Sequence, residues 1–272
     1  MCASHAVPVP LSDDHMRRFG AAGRLLGRLA LERLAAAKVC VIGLGGVGSW
    51  AVEALARSGV GALTLVDLDE VCVTNINRQL PALTDTVGRP KAAVLAERVQ
   101  GINPACRAEA LVEFFTQENF GRILGAGFDV VVDATDSLQH KVLALGECRK
   151  LGIPVLTSGG SAGKRDGTRV RVADLAEAAN DALLRYVRKR LRERYDFPRG
   201  EGVRFGIRCV YSPERALYPW ADGSLCEKPE PGAAVELNCE SGLGSVSFVT
   251  GAFGLAAAGE VVRLLLSGEG GA

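Results

Sequence analysis

Asn75, Asn77, Arg78 and Gln79 fall within five consecutive positions, and Lys91 follows in the run Gly88-Arg89-Pro90-Lys91. Three amides, a guanidinium and an ammonium in so short a stretch suit an anion whose charge grows during reaction. Placed cations and N–H donors stabilise charge developing on phosphoryl oxygens. A hydride-transfer enzyme has no need of this set, whereas an enzyme that breaks ATP does. Lys91 opens a helix-forming stretch, the end at which the helix dipole disfavours a cation, and this argues for a task beyond the helix. The plain alternative is that Arg78 and Lys91 are solvated surface charges.

Upstream, VCVIGLGGVGSW sets Gly43, Gly45, Gly46 and Gly48 as G-x-G-G-x-G between an apolar run and a helix start. Glycine permits the tight turn and lets backbone approach an anion, and the helix N-terminus offers unpaired N–H groups. The motif serves a dinucleotide or the phosphates of ATP equally well, and a glycine turn without a ligand also fits it. Asp67 lies at the spacing where a carboxylate reaches ribose hydroxyls of either nucleotide, or it is a solvated strand end. Asp69 closes the same stretch. Asp136 follows the apolar run Val130–Val132, at the edge where open α/β sheets bind ligands. It can hold Mg²⁺ through oxygen, or it caps the next helix.

These residues need elements to hold them. The patterning predicts an irregular arm over 1–19, an amphipathic helix over 24–37 and a buried strand over 38–42. A helix over 48–58, a strand over 63–68, a helix over 91–100 and a strand over 107–113 follow. Then come a buried strand over 128–134, a helix over 137–151 and a strand over 153–158. Alternating strands and helices imply a Rossmann-like, doubly wound, mostly parallel sheet. After Gly159 the pattern changes to a basic helix over 177–197 and an irregular stretch over 198–240. The chain reads as one domain over 1–272: a nucleotide-binding core over about 20–160, a basic insertion or cap over about 160–240, and a strand or helix return over 241–267.

A chain of 272 residues, 48% hydrophobic and 23% charged, can bury a sizeable core. Net charge is +1, so a nucleic-acid surface would have to be local. From Lys164 to Arg215 there are 14 Lys and Arg against 8 Asp and Glu, an excess that fits a phosphate-backbone footprint or a solvated helix. None of the eight cysteines forms a C-x-x-C pair, which argues against a structural zinc, and their reduced state fits the cytoplasm. Residues 241–259 carry no charged side chain and imitate a membrane span. Their Gly, Ala and Ser content favours a buried element packed on the sheet, with no stable membrane contact.

With these residues in hand, the chain resembles the E1-like adenylating enzymes, the superfamily of ubiquitin-activating enzymes and activators of sulfur-carrier proteins. The GxGGxG turn, Asp67-x-Asp69, the N-x-N-R-Q run, Lys91 and Asp136 carry the likeness. It implies that ATP·Mg²⁺ is bound and a carboxylate activated. Asp67 would hold ribose, Arg78 and Lys91 would contact phosphates, Asp136 would help place Mg²⁺, and Asn75, Asn77 and Gln79 would support the phosphate site. Arg24 would reach the neighbouring subunit's site in a homodimer. The stretches DLDEVCVTNINRQLPALTDTVGRPKA and LNCESGLGSVSFVTGAFG, with the missing zinc pairs, resemble the branch that dehydrates N6-threonylcarbamoyladenosine at position 37 of tRNA. That branch implies tRNA as partner and a relay with a cysteine desulfurase, and leaves room for a monovalent cation. Cys239 sits where related enzymes carry an acyl-accepting thiol, or it is packing. The competing expectations are adenylation of a ubiquitin-like carrier protein, a nicotinamide oxidoreductase and a non-catalytic scaffold.

Overall fold

In the computed structural model, residues 11–200, 202–231 and 243–267 are described. Cys239 lies outside them, as do the first ten residues of the expected arm. Ser12 accepts the His15 N–H and starts helix α1 (Asp13–Leu26), so residues 13–19 are helical where an irregular arm was expected. Asp13 and Asp14 favour that start by meeting the positive end of the helix dipole. Gly27, at φ 94°, then breaks the expected single helix into α1 and α2 (Arg28–Ala36).

Strand β1 (Lys38–Ile42) leads through the glycine turn into α3 (Gly48–Arg57). After it come β2 (Ala62–Val66), α4 (Lys91–Ile102), β3 (Arg107–Leu111), the short α5 (Phe120–Leu124), β4 (Val130–Asp133), α6 (Leu138–Leu151) and β5 (Val155–Ser158). Each of these elements lies within a few residues of its sequence expectation except α5, which the sequence reading did not anticipate. The remainder is β6 (Arg171–Asp174), α7 (Ala182–Arg194), β7 (Arg208–Tyr211), the small hairpin β8 (Tyr218–Pro219) and β9 (Leu225–Cys226), and α8 (Ser247–Ser267).

The main sheet has the order β3-β2-β1-β4-β5-β7-β6, with every neighbour parallel except β6 against β7. The region expected wholly beside the sheet therefore contributes two strands to it. Three of the four residues of β7 pair with β5, and the sequence hides the strand between glycine-rich and proline-rich turns. The strand order reverses between β1 and β4, the switch point at which such sheets open a crevice.

Strand alternation sends successive side chains to opposite faces. Val39, Val41, Val130 and Val132 join Leu55, Phe253 and Val261 in the core beneath α3 and α8. Cys40, Ile42 and Val131 join Val142, Leu145 and Leu184 in the core beneath α6 and α7. Burial drives the thiols of Cys40, Cys148 and Cys209 well above their ordinary pKa, so at neutral pH they are small apolar groups. Helix α8 is long and apolar enough to cross a membrane, but half of its apolar window is buried and it packs on α3 and the sheet. Its Glu260 is paired with Arg208 of β7 and with Arg263.

Candidate nucleotide-binding site

The glycines are shaped by what presses on them. A Cβ on Gly48 would lie 1.9 Å from the Gly43 carbonyl oxygen, and one on Gly43 would meet Ala134 and Thr135 at the end of β4 within 2.9 Å. Gly43 also has φ 86°, which glycine adopts without strain. The turn after β1 is thus clamped to the loop after β4, at the switch point. Gly46 lies under Thr250 of α8 and beside Arg78, whereas Gly45 faces the Gln79 amide.

Asp67 sits at the end of β2 and organises the turn from the other side. Its Oδ2 accepts the Leu44 N–H at 2.6 Å and its Oδ1 accepts the Asp69 N–H at 2.9 Å. Burial raises its carboxyl above the ordinary value, while the two N–H groups and Lys91 pull against that rise. Asp69 is half open to solvent and holds the Lys91 ammonium at 2.9 Å. Lys91 is otherwise sunk, its side chain only 6% exposed at the start of α4. Its unfavourable helix position is offset by this carboxylate, so the dipole argument from sequence is answered by a local partner. Placed there, the ammonium contacts Asp69 and lies within electrostatic reach of Asp67.

The N-x-N-R-Q run divides by role. Asn75 is buried, and its Oδ1 accepts the Cys72 N–H, closing a short 3₁₀ turn. Asn77 donates to the Ser245 carbonyl at 2.8 Å. The Arg78 carbonyl accepts from Trp50 Nε1 and from Thr250 Oγ1, so α3 and α8 grip the run from both sides. The Arg78 guanidinium reaches the Thr74 carbonyl and Asn77 Oδ1. Gln79 is buried, with its Oε1 lacking any hydrogen-bond partner among the described residues. An unpaired buried amide oxygen beside a glycine turn is costly unless a ligand or water satisfies it. Trp50 and Thr250 were missed in the sequence; the only signal for Trp50 was its place two residues past the last glycine.

Asp136 is exposed beyond β4, and Ser137, not Asp136, caps α6 by accepting the His140 N–H. The capping alternative is therefore corrected, because the helix begins one residue later. Beneath this loop lies a group that sequence reasoning did not find. Asp133 and Lys141 are both fully buried, and their side chains meet at 2.7 Å. Thr157 donates to the same carboxylate oxygen, and Thr135 donates to the other through N–H and Oγ1. Arg24 does not join the site of its own chain. It lies on the exposed last turn of α1, a helix that packs through His15 and Phe19 on Gly59 at the far end of α3.

The glycine turn, Asp67, Asp69, Asn75, Asn77, Arg78, Gln79 and Lys91 thus converge at the switch point, with Asp136 at its edge. Such an arrangement offers ribose-binding oxygen, backbone N–H groups and two cations to a nucleotide's phosphates. A lone exposed carboxylate suits Mg²⁺, which is held through one or two carboxylates together with phosphate oxygens.

Comparison with known proteins agrees with this arrangement. The ThiF family model matches residues 15–271. The tRNA threonylcarbamoyladenosine dehydratase of Escherichia coli is 42% identical over 260 residues, which cover 95% of this chain and 97% of that protein. The crystal structure of the E. coli tRNA N6-threonylcarbamoyladenosine dehydratase in complex with ATP superposes with a TM-score of 0.84 at 39% identity, covering 96% of this chain and 98% of that one. The sulfur carrier protein adenylyltransferase of Thermus thermophilus is 40% identical over 46% of this chain and 46% of its own length.

Proposed function

Because this chain belongs to the ThiF family, we propose that it is an ATP-dependent dehydratase acting on N6-threonylcarbamoyladenosine at position 37 of tRNA. The observation that carries this reading over carrier-protein adenylation is extent. The likeness to the dehydratase runs through both halves of the sheet, including β6 and β7, whereas that to the sulfur-carrier adenylyltransferase covers under half of the chain.

A carboxylate is a poor electrophile because its leaving group would be oxide. Attack of the threonyl carboxylate on a phosphorus of ATP breaks that phosphorus's bond to its bridging oxygen, releasing pyrophosphate from the α position or ADP from the γ position, and converts the carboxylate oxygen into part of a phosphate leaving group. The carbamoyl group of the same nucleoside then closes on the activated carbonyl, and the phosphate-bearing oxygen departs. The nucleoside loses the elements of one water, and no protein nucleophile is required, since the intramolecular attack has a high effective concentration. Asp67 binds ribose, and the N–H groups of the glycine turn and the start of α3 receive phosphate oxygens. Gln79 supports the same phosphates, while Arg78 and Lys91 stabilise the charge that develops on them. Asp136 would hold Mg²⁺, whose charge would offset that of the phosphoryl oxygens. Leu25 and Leu29 are 85% and 70% exposed beside Arg24, and this supports a homodimer in which Arg24 reaches the neighbouring site.

The test uses bulk tRNA carrying the linear modification, incubated with the protein with and without ATP·Mg²⁺ and digested under mild conditions. The expected product is lighter by one water, requires ATP and is lost in Lys91→Ala. An unchanged nucleoside, with Lys91-dependent ATP turnover only on adding a small carrier protein, would move the assignment to the adenylating branch.

A further inference from the structure

The basic excess between Lys164 and Arg215 is not in one place. Helix α7 carries most of it, but the helix runs away from the nucleotide site. Its N-cap Asp181 accepts the Gly160 N–H just beyond the carboxyl end of β5, whereas Tyr195 past its other end donates to Glu147 late in α6. The strongly basic half therefore lies toward the amino ends of the parallel strands. Its charges are also largely engaged. Arg188 donates to the carbonyls of Leu175 and Ala178, Arg192 donates to the Pro198 carbonyl, and Lys189 and Arg190 share Glu193.

Three arginines of the same segment are placed differently. Arg165 and Arg169 precede β6, Arg215 follows β7, and together with Asn180, Glu214 and Glu227 they line a cavity of about 340 Å³. Arg171, at the start of β6, pairs with Tyr211, at the end of β7, so this cavity opens on the same rim as the glycine turn. Three strand steps separate β1 from β7, or about 14 Å at the usual strand spacing.

The cavity wall is fixed from below. Lys164 is 4% exposed and donates to the carbonyls of Ser212 and Glu214. The Glu214 carboxylate accepts the N–H groups of Arg165 and Asp166, and Asn180 donates to the Pro213 carbonyl. The acidic groups are thereby accounted for: Glu214 faces backbone, Glu227 pairs with Arg215, and Asp166 accepts from Thr168. Arg165 and Arg169 are exposed and have no carboxylate within ion-pair distance among the described residues.

We infer that this arginine-lined cavity receives a backbone phosphate of the RNA substrate, and that it, rather than the basic half of α7, sets the RNA on the rim. The inference rests on the tRNA reading above. Two guanidiniums that form no ion pair among the described residues, although Asp166 lies within electrostatic reach of Arg169, sit on a wall that backbone hydrogen bonds hold rigid and suit a phosphate's paired oxygens.

The test is the salt dependence of binding of fluorescein-labelled tRNA, measured by anisotropy. Each phosphate contact contributes about 0.7–0.9 to the slope of log K against log salt concentration. Arg165→Gln with Arg169→Gln is expected to reduce that slope by about 0.7–0.9, the share of the one phosphate they hold, and weaken binding about tenfold. The doubly conservative Arg165→Lys, Arg169→Lys retains the slope, as does Lys189→Gln, Arg190→Gln, Arg194→Gln on α7. ATP-induced thermal stabilisation stays intact in all of them and reports that the rim is folded. An unchanged slope in the glutamine pair, or an equal loss in the α7 variant, would overturn the inference alone. A wild-type protein that binds no tRNA would overturn the tRNA reading and this inference with it.

Discussion

The two halves of the carboxyl rim treat positive charge in opposite ways. On the half built from β2, β1 and β4, Lys91 and Lys141 are sunk in the protein and each faces a carboxylate. On the half built from β7 and β6, Lys164 is sunk but spends its N–H groups on carbonyls, and the arginines above it stand in solvent. Burial makes electrostatics strong and geometry fixed, which suits a reacting phosphoryl group whose charge must be met without reorganisation. Exposure makes electrostatics weak, additive and salt-sensitive, which suits a long polyanion that must be found and released. One rim thus separates chemistry from capture within a few strands.

The largest expected effect tests the buried half. Lys141→Met leaves Asp133 as an uncompensated charge under the Thr135–Asp136 loop. Stranding one member of a buried pair costs about 3–5 kcal/mol. For a domain of this size that is a fall in Tm of very roughly 6–20 °C. Combining Lys141→Met with Asp133→Asn should recover much of the loss, because the unpaired charge is gone. A small effect of the single variant would mean that the near half is no more preorganised than the far one.

The next effect separates the halves kinetically. Lys91→Ala removes a cation from the reacting phosphate and should lower kcat about 10²–10³-fold, the range for losing one well-placed donor. Arg165→Gln should instead raise KM for tRNA severalfold, with kcat nearly unchanged, since a contact made equally in ground and transition states affects binding alone. Steady-state turnover with both substrates varied distinguishes the two. If Lys91→Ala acted only on KM, the division of labour along the rim would fail.

The sequence made the near half legible and left the far half obscure, for a physical reason. The glycine turn, Asp67 and Lys91 are tied to neighbours through backbone or through short spacings, and such constraints show as residue type at fixed intervals. Lys141 escaped because a lysine in a helix reads as surface; only its partners, Asp133 and Thr157, make it interior. Strand β7 escaped because four residues without a long alternation carry little periodic signal, and their pairing with β5 is set by tertiary contact. The basic excess was visible as composition, but composition does not say which end of a helix faces the ligand. Similarly, Gly27 could be seen as a glycine, yet its split of α1 from α2 follows from a positive φ.

The smallest effect concerns the tie between the far half and the core. Glu260 of α8 receives Arg208 of β7 and Arg263, and it anchors the strand that ends at the arginine cavity. Burial alone would raise its carboxyl; hydrogen bonds and charge from Arg263 and Arg208 outweigh this and hold it below the ordinary carboxylate range. A carboxyl whose folded pKa is depressed adds stability that is fully present above its unfolded pKa and lost as pH falls through the folded one. The two arginines remain partly open to water, which screens the pair, so the contribution should be about 1 kcal/mol. Glu260→Gln is therefore expected to lower Tm by about 2–4 °C at pH 7. The gap to the parent protein should close as pH falls through the depressed folded pKa of Glu260, below the ordinary glutamate range, where the parent's own carboxylate takes up its proton. Measuring the difference between the two proteins cancels the titration of every other group. A gap that stayed constant with pH would mean that Glu260 holds β7 by packing, and that charge in the far half matters only at the arginines.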